Sequence, residues 1–450
     1  MSGAALTCEE ERQVRPFEVT NREVLRIAIP MTLAFLTQPL LGITDTAVMG
    51  RVGDAVALGG LVVGALIFDF AFQTFNFVRA GTTGLTAQAF GAGDEREMQA
   101  VFWRAAILAV LIGCALIVLE PLIVGLGLIA VAPDEGVAEA MRTYVFWRML
   151  AAPFSLMNFA VLGYVLGRGR GTLGLLLQGL INAANMALTI LFGFVLEGGI
   201  TGVALGTATG EAIGAVVGFA VVLRSFDRRQ RPSRAQILDR RAYGAMMAVN
   251  RDIMIRSFCL LGAYVLFTRL GSGLGPSTLA ANGVLLTIFM VGGYFLDGLA
   301  NASEQLVGRA VGAAWRPAFD RAMLLSIRWG LFLSAGLTLL CLVFGGTIVD
   351  FLTRNEAVRA AAYPYIAWAS VACLAGALAF LMDGVFIGAT WSATMRNMML
   401  LSVAVFAGLA YALMPFLGNH GLWLAFEVFL SMRGFTLLAA TPKLRRRTFG

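Results

Sequence analysis

Twelve apolar runs divide the chain, near residues 24–48, 57–79, 102–127, 143–166, 172–196, 202–223, 247–269, 279–305, 322–349, 361–387, 397–417 and 421–440. Each is about as long as the ~20-residue helix that crosses a bilayer. Lipid offers a backbone amide no partner, so runs of this length predict helices. Short polar stretches separate them, and one longer basic stretch, RSFDRRQRPSRAQILDRR at 224–241, divides the spans six and six. The expected organisation is a segment 1–23, a first lobe 24–223, a linker 224–246, a second lobe 247–440 and a tail 441–450.

The halves resemble each other. GYVLGRG (163–169) aligns with GVFIGAT (384–390), and QAFGAG (88–93) with RAVGAA (309–314), both displaced by 221 residues. RVG (51–53) pairs with RLG (269–271) at 218, and Gly202 with Gly421 at 219. An even number of spans per repeat makes the repeats parallel, related by an axis along the membrane normal. The expected fold is an all-α polytopic membrane protein, with twelve transmembrane helices in two pseudo-symmetric six-helix bundles. Two such bundles can rock about a central cavity.

Composition agrees with the pattern: 58 % of residues are apolar and 14 % charged, against about a quarter charged in soluble domains. Mean hydropathy is +0.79. A soluble enzyme and a disordered chain are excluded. The net charge of +7 marks cytoplasmic loops rather than a nucleic-acid partner. Arg12, Arg15, Arg22, Arg26, the 224–241 segment and the KLRRR tail (443–447) fall on one side, whereas the opposite loops carry little beyond Arg51, Glu197 and Arg269. Both termini are therefore expected in the cytoplasm. Cys8, Cys114, Cys259, Cys341 and Cys373 show no metal-binding spacing, and the last four read as packing residues.

A charge at the bilayer centre costs about 2.5–3.5 kcal/mol on insertion scales, so the ionisable groups within the runs are the informative ones. They are Asp45, Asp69, Glu211, Asp297, Glu304, Asp383 and Glu427, while basic residues are expected at span ends. Acids inside a membrane suit cationic substrates, protons or sodium. Asp45 follows Pro30, Gln38 and Pro39 on the first span. It reads as a protonatable site beside a proline-bent helix, against the alternative of an acid that reaches water at the span end. Asn185 and Thr189 share one helix face, as do Thr207 and Glu211 on the next helix. They can add oxygen ligands for a proton or sodium, or simply pack helices. Asp297 and Glu304 lie seven apart on one face. With Asp383 they form a second-lobe set that either binds substrate or pairs with Arg251, Arg256 or Arg309. Asp252 is expected in an ion pair with its arginine neighbours. The rings Phe68, Phe70, Phe72, Phe75 and Phe77 read mainly as packing or lipid contact. His420, the sole histidine, sits in the loop GNHG, and GAGDERE (91–97) lacks the GK[ST] of a phosphate loop. No catalytic constellation is apparent, no cofactor is called for, and no metal site is expected beyond a sodium ion at the Asp45 cluster.

DTAVMGRVG (45–53), RAGTTGLTAQAFGAGD (79–94), VNRDIMIRSFCL (249–260), LAANGVLL (279–286), LDGLANASEQLVGRAVGA (296–313) and LMDGVFIGAT (381–390) resemble the multidrug and toxic compound extrusion (MATE) family, in the branch of the DNA-damage-inducible protein F (DinF). The resemblance runs from about residue 22 to 440. It implies export of cationic, amphipathic compounds against an inward proton or sodium gradient. It places the family's first-helix acid on Asp45, its helix-one proline and glutamine on Pro30 and Gln38, its asparagine on Asn185 and its sixth-helix threonine on Thr207. Some members carry a second acid where this chain has Thr189, and Glu211 is the candidate to replace it.

The function expected is a monomeric proton- or sodium-driven efflux antiporter of the inner membrane that works by alternating access. The alternative is a flippase for lipids or lipid-linked oligosaccharides, a class that wants a basic cavity where this chain has acids. The chain is not expected to be an enzyme.

Overall fold

The computed structural model describes residues 14–52 and 55–450. Cys8, Arg12, Gly53 and the Phe70 side chain, named above, lie outside the described residues. The first span is α1 (Asn21–Leu36) and α2 (Gln38–Val52), the second α3 (Ala55–Gln73) and α4 (Phe77–Ala92), and the third α5 (Glu95–Val131). The fourth is α6 (Glu135–Leu150) and α7 (Ala152–Gly167), the fifth α8 (Gly171–Thr189) with a π-helical turn at Ile190–Val195, and the sixth α9 (Gly199–Arg224). After the short α10 (Arg234–Ile237) come α11 (Arg240–Ser272), α12 (Pro276–Gly312) and α13 (Arg316–Leu352). The tenth span is α14 (Glu356–Ala362) and α15 (Ile366–Gly388), followed by α16 (Ser392–Leu417) and α17 (Asn419–Phe449). Among the described residues eleven helices are long and apolar enough to cross a membrane, and twelve if the bent α6–α7 pair is one span. The expected all-helical membrane fold is observed.

Local chemistry sets the ends and bends. Thr20 caps α1 through a reciprocal pair, its hydroxyl accepting from Glu23 N–H at 3.3 Å and the Glu23 carboxylate accepting from Thr20 N–H at 3.2 Å. Gly93 closes α4 at φ +66°, a left-handed conformation that glycine adopts without strain. The bend of 49° between α6 and α7 precedes Pro153, which has no N–H to give the Met149 carbonyl.

The first span departs from expectation. Its helix runs through Pro30 and breaks instead at Thr37, two residues before Pro39. Pro39 removes the donor that the Phe35 carbonyl would take in a continuous helix, and the Thr37 N–H donates to the Ala34 carbonyl at 3.3 Å in a tightened last turn. The break is tied to α8, because Asn182 Nδ2 donates to Thr37 Oγ1 at 2.6 Å.

Helices also outrun the apolar runs. The second span continues to Ala92 because its glycines serve contact: a Cβ at Gly84 would strike the Ile387 carbonyl, and one at Gly91 the Arg309 carbonyl. Small residues let membrane helices approach this closely. The tail expected at 441–450 is helical to Phe449. The basic linker is held on α5, where the Arg104 guanidinium donates to the carbonyls of Gln236 at 2.7 Å and Ile237 at 3.2 Å.

Helices α2–α9 pack mainly with one another, as do α11–α17, whereas α1 packs chiefly on α12 and next on α8; the two six-span bundles meet where α1 lies against α12 and α4 against α11 and α12. Their shared contacts gather at one end, which holds the start of α1 and the ends of α4 and α12. There Arg15 N–H donates to the Ala313 carbonyl at 3.0 Å. Gln88 Nε2 donates to the Gly388 carbonyl at 2.9 Å, and Gly298 lies against Ala28 and Thr32.

Candidate coupling site in the first bundle

Asp45 lies on α2 and is 9 % exposed, with Oδ1 lacking any hydrogen-bond partner. Facing it is a cluster shared by α8 and α9. Thr207 Oγ1 donates to Asn185 Oδ1 at 3.1 Å, Thr189 Oγ1 to the same oxygen at 3.5 Å, and the two threonine hydroxyls are 3.4 Å apart. Thr189 is also the side chain nearest in role to Asp45, close enough to interact with its carboxyl. The sequence GTATG makes this contact possible. Gly206 sits against the Thr189 backbone and Gly210 against that of Asn185, so α9 approaches α8 at a distance a Cβ would forbid.

Glu211 is one turn further along α9, and its partner is Arg148 of α6. Arg148 Nη1 is 3.3 Å from Glu211 Oε1, and the Ser155 hydroxyl donates to the other carboxylate oxygen. The Arg148 guanidinium carbon lies 3.9 Å from the centroid of the Phe68 ring, a cation–π contact. Asp45 and the exposed Asp69 are within electrostatic reach of the same guanidinium. The structure thus brings Asp45, Asn185, Thr189, Thr207 and Glu211 into one region. Gln38 and Pro30 are half-buried on the first span, and the break between them, not the proline at 30, sets the direction of α2.

Arg148 was not anticipated. Basic residues were expected at span ends, yet Arg148 is buried in the last turn of α6, at the bend inside the fourth span, and Arg433 is buried within α17. The available signal was a lone arginine in YVFWRMLAAPF, one turn before the helix bend. Phe68 and Phe72 stack at 4.0 Å, so the packing role expected for these rings is met, while Phe68 also takes the cation.

The second-lobe acids occupy different settings. Asp383 on α15 sits between Arg256, which pairs with Oδ2, and Arg433, whose Nη2 donates to the same oxygen at 2.9 Å. Glu304 on α12 lies 3.9 Å from Arg79 of α4, in the other bundle. Asp297, on the same face, is within electrostatic reach of Arg79 and Arg256. Asp252 pairs with Arg251 at 3.2 Å and with Arg396 at 2.5 Å. Arg309 instead lies against Phe17 and Phe90, at 4.0 and 5.4 Å.

A family model, MatE, matches residues 30–195 and 253–413. The chain belongs to the MATE family. It is 35 % identical to DNA damage-inducible protein F of Escherichia coli (strain K12), over 93 % of this chain and 92 % of that protein. It is 24 % identical to Protein DETOXIFICATION 44, chloroplastic, of Arabidopsis thaliana, over 95 % of this chain and 82 % of that one. Its fold matches a multidrug resistance MATE family transporter solved in an outward-facing conformation. That match has a TM-score of 0.85 at 16 % identity and covers 95 % of this chain and 96 % of the other. The family is one of membrane transporters, and the helix pattern makes this member a multi-pass membrane protein.

Proposed function

We propose that the chain is an inner-membrane efflux antiporter that exports cationic, amphipathic compounds in exchange for protons, with both termini in the cytoplasm. The observation that carries this is the buried Asp45 carboxyl, one oxygen unpartnered, facing neutral oxygens from α8 and α9. A carboxylate with no fixed counter-ion of its own can trade a substrate cation for a proton. The bundles join at the end that holds the start of α1; with that end cytoplasmic, as proposed, exchange takes place from the opposite, periplasmic side. Open to the cytoplasm, Asp45 attracts the cation. After the bundles rock, an outside proton neutralises Asp45 and substrate leaves. Each proton entering is driven by about 2.3 kcal/mol per 100 mV of membrane potential. The flippase alternative gains nothing from the buried arginines, because Arg148, Arg256 and Arg433 are each beside an acid.

The test is transport of a fluorescent organic cation in proteoliposomes under a proton or a sodium gradient, with wild type beside Asp45→Asn. Proton-driven transport that disappears in the variant supports the proposal. Transport that survives the substitution moves coupling elsewhere and sinks it.

A further inference from the structure

A guanidinium has donors only and stays charged at any working pH. Arg148 places one inside the acidic cluster of the first bundle. Asp45 from α2, Asp69 from α3, Glu211 from α9 and the Tyr144 hydroxyl from α6 all lie within its electrostatic reach. Its Nη1 is 3.3 Å from Glu211, yet its Nε and Nη1 make no hydrogen bond. The charge is therefore held by position and by the Phe68 ring face rather than by a saturated set of acceptors. Asp45 Oδ1, within that reach, is buried without a partner. The Ser155 hydroxyl already points at Glu211, and Asn158 Nδ2 donates to the Glu211 carbonyl at 2.9 Å.

Two carboxylates and a hydroxyl are hard oxygen ligands of the kind a metal cation takes. We propose that this is a latent sodium-class site in which the tethered guanidinium of Arg148 stands where the metal ion would be. The built-in charge neutralises Glu211 and fills the place of a metal ion among these oxygens. Asp45 is left to exchange the organic cation for a proton without sodium, so Glu211 does not act as the second coupling acid while Arg148 is present. A proton is not excluded in the same way, because it binds covalently to one Asp45 oxygen and needs no shell of ligands. The inference rests on the reading of Asp45 as the coupling acid.

The experiment is equilibrium binding of radioactive sodium to the full-length protein in nanodiscs, with sodium-dependent thermal stabilisation as a second readout. Wild type and Arg148→Lys, which keeps the charge, are expected to show no saturable sodium binding. Arg148→Gln is expected to show saturable sodium binding that wild type lacks and to gain sodium-driven transport. The double variant Arg148→Gln/Glu211→Gln is expected to lose that gain. Arg148→Met, closer to the apolar stem in volume, serves if the glutamine variant does not fold. Sodium binding equal in wild type and both neutral variants overturns the proposal, as does a gain that survives Glu211→Gln. Failure of the antiport reading appears separately, as wild-type transport without any proton dependence.

Discussion

Arg79 of α4 donates to Asn301 of α12 at 2.7 Å, and the same Nη1 lies 3.9 Å from the Glu304 carboxylate. The guanidinium is anchored on its own side by Asn76, which accepts from Nε at 2.9 Å. One side chain thus clasps the two bundles where they meet. Glu304 is 2 % exposed and its Oε1 has no hydrogen-bond partner, so Arg79 is the charge that answers it.

Removing that clasp should loosen the joined end. A hydrogen bond to a charged group contributes about 1.5–3 kcal/mol, enough to shift a two-state equilibrium roughly tenfold or more. Ser303, fully buried beside the clasp, reports on this when replaced by cysteine in a background free of other thiols. Arg79→Met should raise its rate of maleimide labelling about tenfold, and Arg79→Lys should raise it less. Equal labelling with and without the arginine would mean that helix packing alone holds the bundles together.

Asp383 bears on stability rather than on gating. It accepts from Arg256 and from Arg433, and Arg433 is 3 % exposed. Breaking a buried ion pair by removing one partner costs about 3–5 kcal/mol, because the other charge is stranded. Asp383→Asn strands two arginines. Its apparent melting temperature in detergent should fall by several degrees, and Asp383→Leu combined with Arg256→Met and Arg433→Met should recover most of the loss. A variant that melts with wild type would show that water or lipid solvates the arginines.

The spans and the buried acids were legible in the sequence because each rests on composition or spacing. Twenty apolar residues need a bilayer, and seven residues return to one helix face, as Asp297 and Glu304 do in facing Arg79. What sequence spacing does not carry is which distant helix lies opposite. The pairing of Glu211 with Arg148 is not visible in spacing, because Arg148 is 63 positions away, on a helix that bends just before Pro153. The length of the second span was misread for a related reason. Gly81, Gly84 and Gly91 resemble turn residues until the opposing backbone is known, and then they are the points of closest approach between bundles. Arg256 is expected as a partner of the second-lobe acids and pairs with Asp383, but a rule that sorts basic residues to span ends has no place for Arg148 or Arg433, each paired with an acid on another helix.

The glycines of α9 give a sharper test of the candidate site. A side chain at Gly206 would meet the Thr189 backbone, whereas one at Gly179 of α8 meets nothing within 4 Å. Gly206→Val must push α9 away from α8 and break the contact of Thr207 with Asn185, at an overpacking cost of about 1–3 kcal/mol. Proton-driven transport should fall to about a tenth or less while the protein still folds, and Gly179→Ala should transport as wild type. Full activity in Gly206→Val would remove the α8–α9 oxygens from the coupling site.

The break in the first span can be assigned to one of two prolines. Pro30 and Pro39 each lack an N–H, but only the second stands at a break. The helix is continuous through residue 30 and interrupted at Thr37. Asn182 holds that interruption by donating to the Thr37 hydroxyl, which itself donates to the Ala34 carbonyl at 2.6 Å. Pro39→Ala returns a donor to the Phe35 carbonyl and lets α1 run into α2. Residues Arg22 and Gly50 are both exposed, and an unbroken helix would hold them about 42 Å apart. Spin labels at these two positions should move toward that separation in Pro39→Ala and stay at the wild-type distance in Pro30→Ala. Straightening should also carry Asp45 away from Thr189, so transport should weaken in the first variant more than in the second. If Pro30→Ala lengthens the distance instead, the bend belongs to Pro30, and the tether at Thr37 is a consequence of it rather than its seat.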